Sequence, residues 1–419
     1  MRQMLILRSN RRIKVVMLTN FLYNFVMQVT SYYTVLLAQA LGANGFDIGL
    51  IHCISSFAVL TTTAHVGLAV ERCSIKKLMI IGIICEIAAM AIFISAPDWR
   101  WLIIAVALQG QIIRVPPLID IIFITFANFQ ERATLIGLSH ILWGINGIFA
   151  PITAAMIVTY CGGINSQGIR PLFYIALVIL LTLLFILLYA LEETYIASNI
   201  KESNKPEKKG IVKEYSGFFK NEKYAKHWTA LRFFRDGFIS LLYIYTPLWI
   251  VNVKGASPTV LGMFSSISAM SAMLMRVPVS ILSNKLGRKK TFFLCSIFYC
   301  LGIIVLIFAP NFNFLILASI LGTGYGGIGG ASFTPLITMW WEAVPANERG
   351  KLYGIEGTIY AGSKFITSII GGMLWVQGFM EFALLSPVLI ELIVVIPLLY
   401  SIPETLEYKS SATLTGELR

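Results

Sequence analysis

Charge is scarce in this chain: 13% of its 419 residues are charged and 57% are hydrophobic. Soluble domains carry about a quarter of their residues charged, so composition excludes an ordinary water-soluble fold. Histidine is rarer still, with four residues, and the six cysteines at 53, 73, 85, 161, 295 and 300 form no C-x-x-C and have no histidine at ligand spacing. That pattern argues against a metal centre and for cysteines that pack. Walker sequences, nucleophile elbows and H-E-x-x-H are also missing, so neither nucleotide hydrolysis nor catalysis has a carrier, and no cofactor is implied. A literal G-x-G-x-x-G does occur at Gly322 to Gly327. No strand precedes it and it sits inside an apolar run, so dinucleotide binding does not follow; its glycines suit close helix packing and bending.

What the chain has in abundance is long hydrophobic runs. A bilayer core about 30 Å thick needs roughly 20 apolar residues per helical crossing, and about twelve such runs lie between Val15 and Ile402. The tenth is read as a single span from Phe314 to Trp341. The expected fold class is therefore an all-α membrane protein with about twelve transmembrane helices. The first run is too long for a signal sequence and is read as a retained span. The net charge of +12 raises the question of a polyanion partner. Its loop Lys and Arg fall almost entirely on one side, with Arg100, Arg170 and Lys254 opposite. This is the positive-inside asymmetry, which explains the excess without nucleic acid and places both termini in the cytoplasm of a multi-pass cell-membrane protein.

The chain also repeats itself. Gly42-Ala43 recurs as Gly255-Ala256, Lys76-Lys77 as Lys289-Lys290 and Ala96-Pro97 as Ala309-Pro310, each displaced by 213 residues. A period of half the chain implies two parallel six-helix bundles, residues 1–191 and 228–419, joined by a polar cytoplasmic linker at 192–227.

Two loops at equivalent places in the repeats carry motifs. GLAVERCSIKK (Gly67 to Lys77) and SILSNKLGRKK (Ser280 to Lys290) together resemble the G-x-L-A-D-R-x-G-R-R loop of the major facilitator superfamily. Gly67, Glu71 and Arg72 match its glycine, acid and base, and Gly287, Arg288 and Lys289 match its end. The first copy has Ser74 and Ile75 for Gly-Arg; the second has Ser280 for the first glycine and Asn284 for the acid. WWEAVPANERG is similar to the E-x-x-P-x-x-x-R-G segment of the sugar-porter and organic-solute:proton symporter group at Glu342, Pro345, Arg349 and Gly350, and Pro403-Glu404-Thr405 resembles the PET ending of that group. The first half has Arg132 but lacks the matching Glu. The resemblance implies a transporter working by alternating access, with a cytoplasmic gate at Gly67, Glu71, Arg72, Arg132, Gly287, Arg288, Glu342 and Arg349. An Arg fork pairs well with a carboxylate. Because Asn284 replaces the usual acid, Arg288 is expected to bridge to Glu342.

Ionisable groups inside a span cost on the order of 3 kcal/mol or more, which makes each a functional candidate. The resemblance implies that spans 1, 4, 7 and 10 line the cavity. Span 1 repeats Asn20, Asn24 and Gln28 every fourth residue, extended by Tyr32, on one helix face. This stripe lines a solute path or bonds helices together. Span 4 holds Arg114, which needs an anion, and Asp120, which can carry a proton. In span 7, Arg232 and Asp236 are four residues apart and can satisfy each other, while Arg235 points elsewhere. Span 11 places Glu356, Tyr360 and Lys364 on one stripe. Glu86 and Glu391, on spans 3 and 12, read as peripheral, packed or protonated.

The expectation is a monomeric secondary transporter of a small-molecule substrate in the lipid bilayer, coupled to protons. Asn24, Gln28, Tyr32, Arg114, Arg235, Tyr360 and Lys364 are its expected substrate contacts, and Asp120, Asp236 and Glu356 its proton carriers. The cations among them hint at an anionic or carboxylated solute. A proton-coupled exporter of drugs or metabolites, and a sensor that kept the fold without flux, remain as alternatives.

Overall fold

A computed structural model describes residues 11–109, 118–119, 122–123, 132–191, 224–343 and 349–406, the side chains at 11–12, 63–72, 132–133 and 349–354 excepted. Over the described residues the chain is helical. The helices are α1 (Arg11–Ala40), α2 (Gly45–Arg72), α3 (Ile75–Ser95), α4 (Arg100–Gln109), α5 (Arg132–Tyr160) and α6 (Ser166–Ala190). Then come α7 (Ala225–Val253), α8 (Pro258–Leu286), α9 (Arg288–Phe308), α10a (Phe312–Leu321), α10b (Phe333–Glu342), α11 (Arg349–Val376) and α12 (Met380–Ser401). Among the described residues, nine of these are long and apolar enough to cross a membrane. α1 is not in that set, although it is 30 residues long, because its amides dilute an otherwise apolar helix.

Two compact units emerge, residues 1–204 with 257–262, and residues 205–256 with 263–419. In the first, α1 packs on α5 and α6, and α3 packs on α4 and α6. In the second, α7 packs on α11 and α12, and α9 packs on both parts of the tenth span. Lipid offers no hydrophobic drive between helices, so small residues make the close seams. A Cβ at Gly237 would lie 3.0 Å from both Ser363 Cβ and Thr367 Cγ2, and Thr367 Oγ1 donates to the Gly237 carbonyl at 2.8 Å. Polar turns end the helices: Asn44 Oδ1 accepts from the amides of Phe46 (2.8 Å) and Asp47 (3.0 Å), while Asp47 Oδ2 accepts from the Asn44 amide at 2.9 Å. This reciprocal cap opens α2.

The tenth span refines the sequence reading. It is interrupted: α10a stops at Leu321, a single turn forms at Gly327–Gly330, and α10b begins at Phe333. Gly322, Gly324 and Gly327 take φ of +118°, +78° and +64°, values that only glycine adopts cheaply. The i to i−4 ladder cannot continue through such residues. The break also lets α9 come close, since a Cβ at Gly329 would collide with the Tyr299 backbone. Further irregularities are π-turns at Trp249–Val253 and Glu391–Val395. Pro397 explains the second, because it withholds the amide that would bond the Ile393 carbonyl.

Candidate functional site

In the second unit, one turn of α7 projects Arg232, Arg235 and Asp236, all nearly inaccessible at 4%, 2% and 1% exposure. Arg232 Nη2 donates to Glu356 Oε1 of α11 at 2.6 Å and lies 3.0 Å from Asp236 Oδ2, as the i, i+4 spacing predicts. Asp236 Oδ1 accepts a short hydrogen bond from the Tyr325 hydroxyl, which comes from the glycine break. Asp236 Oδ2 is buried without a hydrogen bond of good geometry, held by the Arg232 charge.

Arg235 points the other way. Its Nε donates to Glu391 Oε2 at 3.2 Å, its Nη2 donates to Ser332 Oγ at 2.6 Å, and its guanidinium lies 5.1 Å over the Phe292 ring. Glu391 is completed by Ser296 Oγ, which donates to Oε1 at 2.6 Å. Glu391 stands at the start of the π-turn in α12 and is 1% exposed. It is therefore an interior counter-charge and not the peripheral residue expected from the sequence. Sequence reasoning missed it because a lone Glu in an apolar run has no visible partner. The usable signal was Arg235 itself, since a buried guanidinium demands a carboxylate. Around this set stand Tyr243 and Phe333, whose ring centroids lie 6.0 and 5.3 Å from that of Tyr325. Tyr360 and Lys364, on α11, are half-buried.

The first unit has a different interior. Asn20 Nδ2 donates to Ser139 Oγ of α5 at 2.6 Å, and Asn24 Nδ2 donates to the carbonyl and Oδ1 of Asn20 at 2.8 and 2.7 Å. Asn24 is thus bonded within its own helix, while Gln28 and Tyr32 are half-buried. Glu86 accepts from Tyr23 Oη at 3.1 Å and from Gln109 Nε2 at 3.4 Å. Arg114 and Asp120 lie outside the described residues.

At the end of the second unit where α8, α10b and α12 finish, the expected bridge forms. Arg288 Nη2 donates to Glu342 Oε1 at 3.3 Å, and Arg288 Nη1 donates to Asn284 Oδ1 and, at 3.2 Å, to Ser283 Oγ. Asn284 thus accepts where an acid was missing. The PET ending closes the cluster. Thr405 Oγ1 donates to Glu342 Oε2 at 2.7 Å, and the Glu404 carboxylate accepts from the amides of Arg288 (3.1 Å) and Lys289 (3.0 Å). A carboxylate at the first amides of α9 suits the helix dipole. Gly287, at φ +96°, leads into α9, and a Cβ there would lie 3.1 Å from Glu404 Oε2. The backbone places Gly67, Glu71 and Arg72 in the last turns of α2, Arg132 at the start of α5 and Arg349 at the start of α11. Their side chains, apart from the absent one of glycine, are not among the described ones.

The family described as Major Facilitator Superfamily matches residues 16–256 and 228–416. No curated protein sequence matches the chain. Among solved structures, the nucleoside transporter NupG is 12% identical at a TM-score of 0.75, with 94% of this chain and 100% of that chain covered. A D-xylose-proton symporter is 16% identical at 0.70, covering 94% and 98%. A bacterial homologue of the iron transporter ferroportin, in an inward-facing state, is 15% identical at 0.68, covering 93% and 98%. At these identities the likeness is one of fold.

Proposed function

The chain belongs to the major facilitator superfamily, and on that premise we propose that it moves a small organic solute across the cell membrane by alternating access, driven by a proton gradient. The superfamily membership makes it a multi-pass membrane transporter and not an enzyme. The observation that carries the proton drive is the charge count of the buried α7 set. Arg232 and Arg235 face Asp236, Glu356 and Glu391, so five bonded ionisable groups sum to one negative charge when all are ionised. One proton makes the set neutral, which is what a low-dielectric interior favours. Asp236 and Glu356, which share Arg232, are the carboxylates assigned to take it.

The solute is assigned to the half-buried polar groups: Gln28 and Tyr32 on α1, and Tyr360 and Lys364 on α11, with Arg114 as the anion contact. Arg235 is better assigned to holding Glu391 than to the solute, since Glu391, Ser332 and the Phe292 ring surround it. Asp120 is kept as a second proton carrier. The motif at Glu342 and the PET ending support a place near the organic-solute symporters, and the xylose-proton symporter shares the fold. Loop charge supports cytoplasmic termini, and a monomer is the proposed working unit. The test is reconstitution of the full chain into proteoliposomes with an imposed pH gradient and a panel of labelled sugars, nucleosides and carboxylates. Gradient-dependent flux that Asp236→Asn lowers at least about tenfold is expected. If no solute flux depends on the gradient, or if flux survives Asp236→Asn unchanged, the proton drive is wrong; a chain with no flux of any kind would be the sensor.

A further inference from the structure

The interruption of the tenth span has mechanical consequences. A continuous helix transmits displacement through its hydrogen-bond ladder, but Gly322, Gly324 and Gly327 cut that ladder. α10b is left as a rod of ten residues, about 15 Å long at 1.5 Å per residue, joined to the turn before it by i to i−3 bonds from Ala331, Ser332 and Thr334. Both ends of this rod touch charged side chains. At its start, Ser332 Oγ accepts from Arg235. Phe333, its first residue, packs edge-on against the Tyr325 ring at 5.3 Å, and the Arg232 guanidinium lies 5.3 Å over the Phe333 ring. At its far end Glu342 holds Arg288 and Thr405. Tyr325 itself is fixed twice, by its hydroxyl on Asp236 and by its amide, which donates to Tyr243 Oη at 3.3 Å.

We propose that Tyr325 is the positioning residue that carries the charge state of Asp236 to the cytoplasmic cluster, by setting the seat of α10b through Phe333. This link rests on the proton-driven reading. An ionised Asp236 only accepts, so it draws the phenol hydroxyl into a charge-assisted bond. A protonated Asp236 offers a hydrogen of its own and gives up its attraction for Arg232. The phenol then loses its charged acceptor and Arg232 is left to Glu356. Either change shifts the ring against Phe333, because both Tyr325 and Arg232 pack on it. Asp236 is faced by Arg232 and Arg235 from its own helix, by Tyr325 from the break and by Glu356 from α11. Lys364 lies two turns beyond Glu356 on α11. Glu391 of α12 and Tyr299 of α9 face Arg235. On this proposal the packed ring contact takes two arrangements, one for each charge state, and so passes a local change onward.

The experiment uses the full chain in lipid nanodiscs, with the proton itself as the probe. Hydrogen–deuterium exchange is followed across a pH series and corrected for intrinsic exchange. The readouts are peptides covering Phe333 to Glu342 and Gly287 to Thr291. The wild type is expected to change protection about tenfold between its two pH plateaus in both peptides. Tyr325→Phe removes only the hydroxyl and should flatten both responses while leaving α1 unchanged. Asp236→Asn should hold both peptides at one plateau at every pH, and adding Tyr325→Phe to it should change nothing more. A purely structural role for Tyr325 would lower protection equally at all pH values and keep the response. Should Tyr325→Phe fold poorly, Phe333→Leu keeps the Asp236 bond but removes the ring seat, and should flatten the response at Gly287 to Thr291. A wild-type pH response retained by either variant, or none in the wild type, overturns the link. Gradient-driven flux beside an unresponsive cluster would sink the link alone. A Tyr325-dependent pH response without gradient-driven flux would sink the drive alone.

Discussion

The opening helices of the two repeats, α1 and α7, meet the same problem with different chemistry. α1 buries amides: Asn20 on Ser139, and Asn24 on Asn20. α7 buries ions: Arg232 on Asp236 and Glu356, and Arg235 on Glu391. Interhelical hydrogen bonds between uncharged groups in a membrane average about 0.6 kcal/mol, because the separated helices find other partners. A buried charge has no such alternative and must be matched. The amide helix is therefore tolerant, whereas the ionic helix ties residues on α7, α9, α11, α12 and the glycine break into one interdependent set.

The largest test of that contrast is Glu391→Gln, which leaves Arg235 fully buried without its counter-charge. A loss of about 3–5 kcal/mol is expected, read as a fall in the thermal midpoint and in folded protein recovered from membranes. Adding Arg235→Met should restore most of the stability, since replacing both members of a buried pair by apolar packing is often neutral. Failure of that rescue would give the pair a role beyond matching charge. A middle-sized effect is expected for Glu342→Gln. It removes a charged acceptor shared by Arg288 and Thr405 at a site where the pair is 10% and 13% exposed. About 1–2 kcal/mol of local protection should be lost, measured as faster hydrogen exchange at Gly287 to Thr291 with global stability nearly unchanged. The smallest effect belongs to Asn20→Ala, at about 0.6 kcal/mol, a shift of the thermal midpoint within a few degrees. Global unfolding by that one change would end the contrast, by showing that the amides of α1 are as indispensable as the ions of α7.

Much of the architecture was legible in the residues. Long apolar runs give helices because the bilayer leaves the backbone no other partner, and a displacement of 213 residues between matching dipeptides revealed the repeat. The pairing of Arg232 with Asp236 was readable because i and i+4 share a helix face. The bridge from Arg288 to Glu342 was readable because the motif had lost its own acid. Three things were not readable. The tenth span looked continuous, since hydropathy does not register φ, and glycine serves equally in a bend, a seam or a break. Tyr325 looked like one aromatic among 17 tyrosines until the break aimed its hydroxyl at Asp236. Glu391 lies 156 residues from Arg235, and nothing local links them.

Sequence alone thus determined the membrane, the helices, the duplication and the local charge pairs, because these depend on composition, on neighbours within two turns or, for the duplication, on the chain's likeness to itself. Tertiary structure alone decided which carboxylate answers Arg235, how Glu404 comes to cap α9 and where the tenth span is interrupted. Those outcomes depend on contacts between distant segments, where matching a buried charge or admitting a close backbone is settled by what arrives from another helix.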